Sequence, residues 1–126
     1  MKTISTEKAP KAVGPYSQAI LSNGLVFTSG QIAIDPSTSA VEATDIAGQT
    51  EQVMKNLGAV LEAAGSSFDK AVKTTCFLAD MNDFAAFNEI YGRYFTSLPA
   101  RSCVAVKTLP KNVLVEVEVI AETEYK

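Results

Sequence analysis

The strongest constraint on the fold lies near the end of the chain, where Val113 to Ile120 read VLVEVEVI. Alternation of this kind is a strand signature, because successive side chains of an extended chain point to opposite faces. Val113, Val115, Val117 and Val119 share one face, which a core must cover. Leu114, Glu116, Glu118 and Ile120 share the other, which is neither fully apolar nor fully polar. The residues before it form a second strand opening on Arg101. A turn at about Leu109–Asn112 makes Pro99–Ala121 a predicted β-hairpin. A mixed face carrying carboxylates near an arginine points to a small wet pocket rather than open solvent.

Upstream, residues 2–5 are a predicted edge strand and Gly14-Pro15 is a turn signal. Ser17–Leu21 and Leu25–Ile34 are predicted strands joined at Asn23-Gly24, a strong hairpin dipeptide. Asp35-Pro36-Ser37 ends the second. Residues 45–64 are a predicted helix, since Ile46, Val53, Leu57, Val60, Leu61 and Ala64 fall on one stripe at helical spacing. Thr44 or Asp45 caps its start, and Gly65 stands where a terminating glycine belongs. Ala71–Ala79 is a further strand. A second helix, about 82–95, follows Asp80 or Asn82, with Phe84, Phe87, Tyr91, Tyr94 and Phe95 on its apolar side and Pro99 blocking its extension.

The order β-β-β-α-β-α-β-β is an α+β pattern in one domain, 1–126, with two helices covering one face of a six-stranded mixed sheet. The uncovered face is expected to hold Leu114, Ile120, Cys103 and Ala105 beside the charged groups. Burying it against another copy of the chain is simpler than leaving it wet, so a homo-oligomer is expected.

Composition removes several function classes. Net charge is −3 and no Lys/Arg-rich run occurs, which argues against a nucleic-acid footprint. No apolar run reaches membrane-spanning length, and MKTISTEKAPKAVG lacks the apolar segment of a signal peptide. There is no His, and only Cys76 and Cys103 supply sulfur, so a Cys/His zinc site is not expected. Two free thiols in predicted strands fit a reducing cytoplasm. No GxGxxG, Walker, GxSxG or CxxC pattern is present, and nothing implies a cofactor.

The remaining polar residues each have two readings. Arg101 either grips a ligand carboxylate with paired hydrogen bonds, or is a surface arginine or one paired with Glu116 or Glu118. Glu116 is a candidate general base that holds water, or a solvent-facing glutamate, and the pattern does not separate it from Glu118. Asn88 lies within the buried stripe Phe84, Asn88, Tyr91, Phe95 and must find partners, in the backbone or in a ligand or site loop. Ser29-Gly30-Gln31 interrupts a strand, as a bulge or as a place where an anion approaches an exposed N–H. Tyr16 covers either a pocket or the sheet end.

Taken in order, GPYSQAI, FTSGQIAI, the helix ending LEAAG, VKTTCFLADMNDFAAFNEIY and PARSCVAVKTLPKNVLVEVEVIA resemble the Rid (YjgF/YER057c/UK114) family over nearly the whole chain. The resemblance is strongest to its RidA branch. It implies a chorismate-mutase-like fold and a cytoplasmic homotrimer with clefts between subunits. It implies hydrolysis of 2-iminobutanoate and 2-iminopropanoate, or their enamine tautomers, to 2-oxo acids and ammonia, without cofactor or metal. Such imines leave pyridoxal-phosphate enzymes such as threonine dehydratase. The resemblance gives Arg101 the substrate carboxylate, with backbone groups of Gly30 and Cys103 completing the grip. It makes Glu116 the water-positioning residue and places Tyr16, Ser29 and Asn88 in the pocket. Family members labelled ribonucleases or translation inhibitors, and a carboxylate-binding regulatory module without turnover, are the alternatives. The connection Phe95–Pro99 is shorter than in several relatives, which bears on substrate range.

Overall fold

In the computed structural model of the protein, which describes residues 1–125, the strands are β1 (Lys2–Ile4), β2 (Ala19–Ser22), β3 (Leu25–Thr28), β4 (Ile34–Asp35), β5 (Ala40–Val41), β6 (Ala71–Leu78), β7 (Ala100–Ala105) and β8 (Val115–Glu122). The helices are α1 (Ile46–Ala63) and α2 (Phe84–Tyr94). Six strands make one sheet in the order β1-β2-β3-β8-β6-β7, while β4 and β5 pair separately. Only the β6–β7 pair is parallel, so the sheet is mixed, as expected.

The alternating strand is at the centre. β8 pairs antiparallel with β3 on one side and with β6 on the other. Val115, Val117, Val119 and Ala121 are buried beneath α1 and α2, while Glu116 and Ile120 are half-buried and Glu118 is exposed. The helices therefore cover one face.

The predicted hairpin is corrected. β7 and β8 do not pair with each other; β6 lies between them. The β6–α2–β7 unit is a helical crossover, which returns the chain to its starting end and lays β7 parallel to β6 at the sheet edge. From there the chain crosses to the far side of β6. The turn at Pro110–Asn112 is present, with Lys111 and Asn112 at φ 56° and 54°, but it belongs to this crossing. Alternation specifies a face; it does not specify a neighbour.

A second correction follows from register. Arg101, Cys103 and Ala105 stand opposite Thr74, Cys76 and Leu78 of β6. Residues directly opposite share a face, and these three of β6 are buried on the helix side. Cys103 and Ala105 thus lie on the helix face, not on the bare face with Glu116.

The helices end for identifiable reasons. Asp45, not Thr44, caps α1: its Oδ1 accepts the Gly48 N–H at 2.9 Å. Gly65, at φ +70°, turns the chain out of the helix. Asp80 accepts the Asn82 N–H at 2.8 Å and starts a short 3-10 turn, Met81–Asp83, that leads into α2. Phe87, Tyr91 and Phe95 then form a buried ladder, with ring centroids 5.5 and 4.6 Å apart.

The long strand predicted over Leu25–Ile34 breaks at Thr28. Phe27 pairs with Ile120, and the next bridge joins Gln31 to Val117. That is four steps on one chain against three on the other, so one extra residue is accommodated at Ser29–Gly30. The mid-strand glycine marks a bulge.

Candidate active site

Arg101 enters from the edge strand onto the helix face. It is half-buried, and its Nη1 donates to Asn88 Oδ1 on α2 at 2.6 Å. The guanidinium carbon sits 4.9 Å from the Tyr91 ring centroid and 5.4 Å from that of Phe84. Tyr91 is fixed in turn, since its hydroxyl lies 2.7 Å from Thr74 Oγ1. Among the described residues, no carboxylate oxygen lies within 4.0 Å of Arg101. Pairing with Glu116 or Glu118 is thereby ruled out within one chain. A half-buried cation held only by a neutral amide and two π faces retains donors for an anion.

The Asn88 amide is half-buried rather than enclosed, and its carbonyl partner is the arginine, not the backbone. Cys103 is two residues along β7 from Arg101, next to Cys76. Burial pushes the Cys76 thiol up to about 12 and raises that of Cys103 as well, although the Arg101 charge acts in the opposite direction on both. Neither thiol is an activated nucleophile.

Glu116 is on the other face. Its partner across β6 is Phe77, three residues from the Thr74 that faces Arg101. Burial raises its carboxyl above the ordinary value, and Glu118 on the same strand adds to the rise. This separates the two glutamates physically, since Glu118 is exposed. Gly30 explains the niche: a Cβ built there would overlap the Glu116 carboxylate and lie 2.8 Å from its Cδ. Only a glycine lets the bulge backbone and the carboxylate approach so closely.

Ser29 ties the bulge to the preceding segment. Its Oγ donates to Ser17 O at 2.5 Å and its N–H to Gln18 O at 2.9 Å. Gln18, a buried amide not singled out from sequence, gathers the N-terminal loop by bonding Thr6 and Pro10. Tyr16 follows a tight turn closed by its N–H to Gly14 O at 2.8 Å, and its side chain is exposed.

The candidate residues thus fall into two groups. Arg101, Asn88 and Cys103 gather between α2 and β7; Ser29, Gly30 and Glu116 gather at the bulge on the opposite face, with Tyr16 on the segment that Ser29 bonds. Two surface concavities, beside Phe68 and beside Tyr125, include none of these residues. Among the described residues, no group of three His, Cys, Asp or Glu side chains is placed to hold a metal ion, and no helix is long and apolar enough to cross a membrane.

The fold is a one-sided α+β sheet with a half-buried arginine at its edge, held by a neutral amide, and a half-buried carboxylate on its bare face. The chain belongs to the Endoribonuclease L-PSP (YjgF/Rid) family, which it matches over residues 6–123. It is 56% identical to a RutC family protein of Synechocystis, over 96% of this chain and 95% of that one. It is 50% identical to the 2-iminobutanoate/2-iminopropanoate deaminase of Salmonella typhimurium, over 95% and 96% of the two chains. The mouse protein of the same name is also 50% identical, over 95% of this chain and 90% of its own. Among solved structures, the Escherichia coli YjgF gene product superposes with a TM-score of 0.92 at 46% identity, covering 97% of this chain and 98% of that one. Escherichia coli TdcF, solved with bound serine, superposes at 0.93 and 41% identity, covering 98% and 100%.

Proposed function

We propose that the protein hydrolyses small 2-imino acids, 2-iminobutanoate and 2-iminopropanoate, and their enamine tautomers, to 2-oxo acids and ammonia. The observation that carries this reading is Arg101, a half-buried guanidinium held by Asn88 over two aromatic rings with no carboxylate of its own chain beside it. A small 2-imino carboxylate supplies the missing anion, and the paired donors of an arginine fix its orientation. The deaminase name of relatives at 50% identity, and serine bound to a neighbour of the same fold, support a small amino-acid-like ligand.

In this reading Glu116 takes a proton from water as the water attacks the imine carbon. The electron pair of the C=N bond moves to nitrogen, giving a tetrahedral carbinolamine. Its nitrogen gains a proton, the C–N bond breaks, and the hydroxyl collapses to the carbonyl as ammonia leaves. One water is consumed and no electrons are exchanged. A carboxyl raised above its ordinary value by burial is suited to accept and return that proton. Orientation supplies much of the acceleration, since a protonated imine is already electrophilic.

Arg101 and Glu116 of one chain lie on opposite faces of the sheet, which supports a site shared between copies: in this reading Arg101, Asn88 and the Cys103 backbone come from one, Tyr16, Ser29, Gly30 and Glu116 from its neighbour. The bare face, with Phe27 and Val104 exposed, supplies apolar surface for such packing. A cytoplasmic homotrimer fits this arrangement. The test is coupled kinetics. Threonine dehydratase generates the imine, and 2-oxobutanoate formation is followed with wild type and Arg101→Ala. Acceleration by wild type, lost in the variant, is expected; a wild-type rate equal to buffer overturns the reading. Light scattering that shows a stable monomer removes the shared site.

A further inference from the structure

Glu116 must be held in one place to do this work, yet its niche lies on the face that the helices leave bare. Two buried amides of α1 nevertheless reach both backbone segments that build it. Asn56, 1% exposed, donates from Nδ2 to Ile32 O at 3.0 Å and to Ile34 O at 2.9 Å. Its Oδ1 accepts from Gln52 Nε2 at 3.0 Å, so both N–H groups and the oxygen of the carboxamide are partnered. Gln49, 5% exposed, accepts the Leu114 N–H through Oε1 at 2.8 Å and donates from Nε2 to Ala43 O at 3.1 Å. Asn56 and Gln49 are seven residues apart, close to two helical turns, so they project from the same side of α1.

Their targets flank the niche. Ile32 follows Gln31, which is bonded to Val117 in both directions at 2.9 and 3.2 Å. Leu114 lies two residues before Glu116. We infer that Asn56 and Gln49 are positioning residues for Glu116: Asn56 fixes the outgoing side of the Gly30 bulge, Gln49 fixes the entry into β8, and together they set how closely the carboxylate stands against Gly30. An apolar interface between helix and sheet leaves sliding and register soft, whereas buried amides bonded to named carbonyls and N–H groups specify one arrangement. The charged groups on the same sheet face are Glu118 and Glu122 of β8, and Lys73 of β6, whose ammonium donates to Ser102 on β7. The bulge contributes only backbone.

The effect on turnover rests on the deaminase reading; the effect on Glu116 does not. The experiment therefore reads both. Asn56→Asp replaces the donor facing two carbonyls with an acceptor, and Gln49→Met keeps length and helix propensity while removing the acceptor for Leu114. In the intact assembly, the side-chain carboxyl of Glu116 is titrated by carbon-13 chemical shift, beside kcat and KM for the imine. The midpoint of Glu116 is expected to fall toward the ordinary carboxylate value in the folded variants. With the niche loosened, kcat should fall about tenfold while KM, set at Arg101, stays within about twofold. Folded variants with the wild-type midpoint, or a loss expressed equally in KM, overturn the inference. A shifted midpoint with no turnover even in wild type upholds the positioning role and removes the deaminase reading instead.

Discussion

The arginine pocket and the glutamate niche are built to different standards of completeness. Arg101 has everything it needs within one chain: an amide acceptor at 2.6 Å, two aromatic faces, and a Tyr91–Thr74 bond beneath them. Glu116 has one close wall, the Gly30 backbone, and beyond it an uncovered sheet face. On the proposed function, the first region holds its carboxylate-binding group ready within each chain. The second needs a further surface to become a closed reaction chamber. Binding and turnover should therefore come apart under mutation.

The largest separation is expected from Glu116→Gln. Loss of a general base costs on the order of 10²–10⁴ in kcat, whereas calorimetric affinity for 2-oxobutanoate, set at Arg101, should change little. A variant that keeps its turnover breaks the division of labour. The same substitution has a predictable effect on stability. The folded carboxyl is raised, so it keeps its proton where the unfolded one has lost it. Stability therefore falls as pH rises from the ordinary carboxylate value through the folded one and is level above. Denaturant melts of Glu116→Gln should lack that slope and lie above wild type at neutral pH.

Gly30→Ala attacks the same niche from its wall. The new methyl occupies the place of the carboxylate, and Glu116 must swing outward. A misplacement on the order of 1 Å costs roughly tenfold to a hundredfold in kcat, with 2-oxobutanoate affinity retained if Gly30 serves chiefly to seat Glu116. An equal loss of affinity would show that the Gly30 N–H itself grips the anion.

These two regions were also unequally legible in the sequence. The faces of β8 and α1 follow directly from periodicity, and the bulge from Gly30 inside an apolar run. The pairing of β7 did not, because alternation carries no information about neighbours. A hairpin and a helical crossover leave the same local pattern in Arg101–Ala105. The cue lay in the preceding helix: a strand, a helix and a second short strand favour a parallel edge over a hairpin. That single error placed Cys103 and Ala105 on the wrong face. Glu116 and Glu118 are identical by pattern, and only burial and the close approach of Gly30 to Glu116 break the tie. The buried amides Gln18, Gln49 and Asn56 were missed because Gln and Asn are ordinarily exposed. Gln49 and Asn56 leave one trace, their position on the core-facing stripe of α1; Gln18, just before β2, leaves none.

On the arginine side, Asn88→Ala removes one charge-assisted hydrogen bond to a partly exposed group, worth about 1.5 kcal/mol. That corresponds to roughly a tenfold weaker Kd for 2-oxobutanoate, by calorimetry, with kcat at saturation nearly unchanged. A fall in kcat without loss of affinity would mean that Asn88 meets the reacting end of the ligand rather than the arginine.

The smallest effect tests whether the aromatic floor or its hydroxyl holds Arg101. Tyr91→Phe keeps the ring at the same distance, so the contact between ring and guanidinium survives. What is lost is the bond to Thr74, whose hydroxyl is completely buried. The Thr74 hydroxyl then keeps only the long contact from the Cys76 thiol at 4.0 Å. A buried hydroxyl so weakly partnered costs about 1–3 kcal/mol, so the variant should melt lower while its affinity for 2-oxobutanoate stays within about threefold. Tyr91→Leu removes the ring as well and should weaken binding further, by the roughly 0.5–2 kcal/mol of a cation–π contact. If Tyr91→Phe already weakens binding as much as Tyr91→Leu, the anchor depends on the Thr74 bond and the aromatic face contributes nothing of its own.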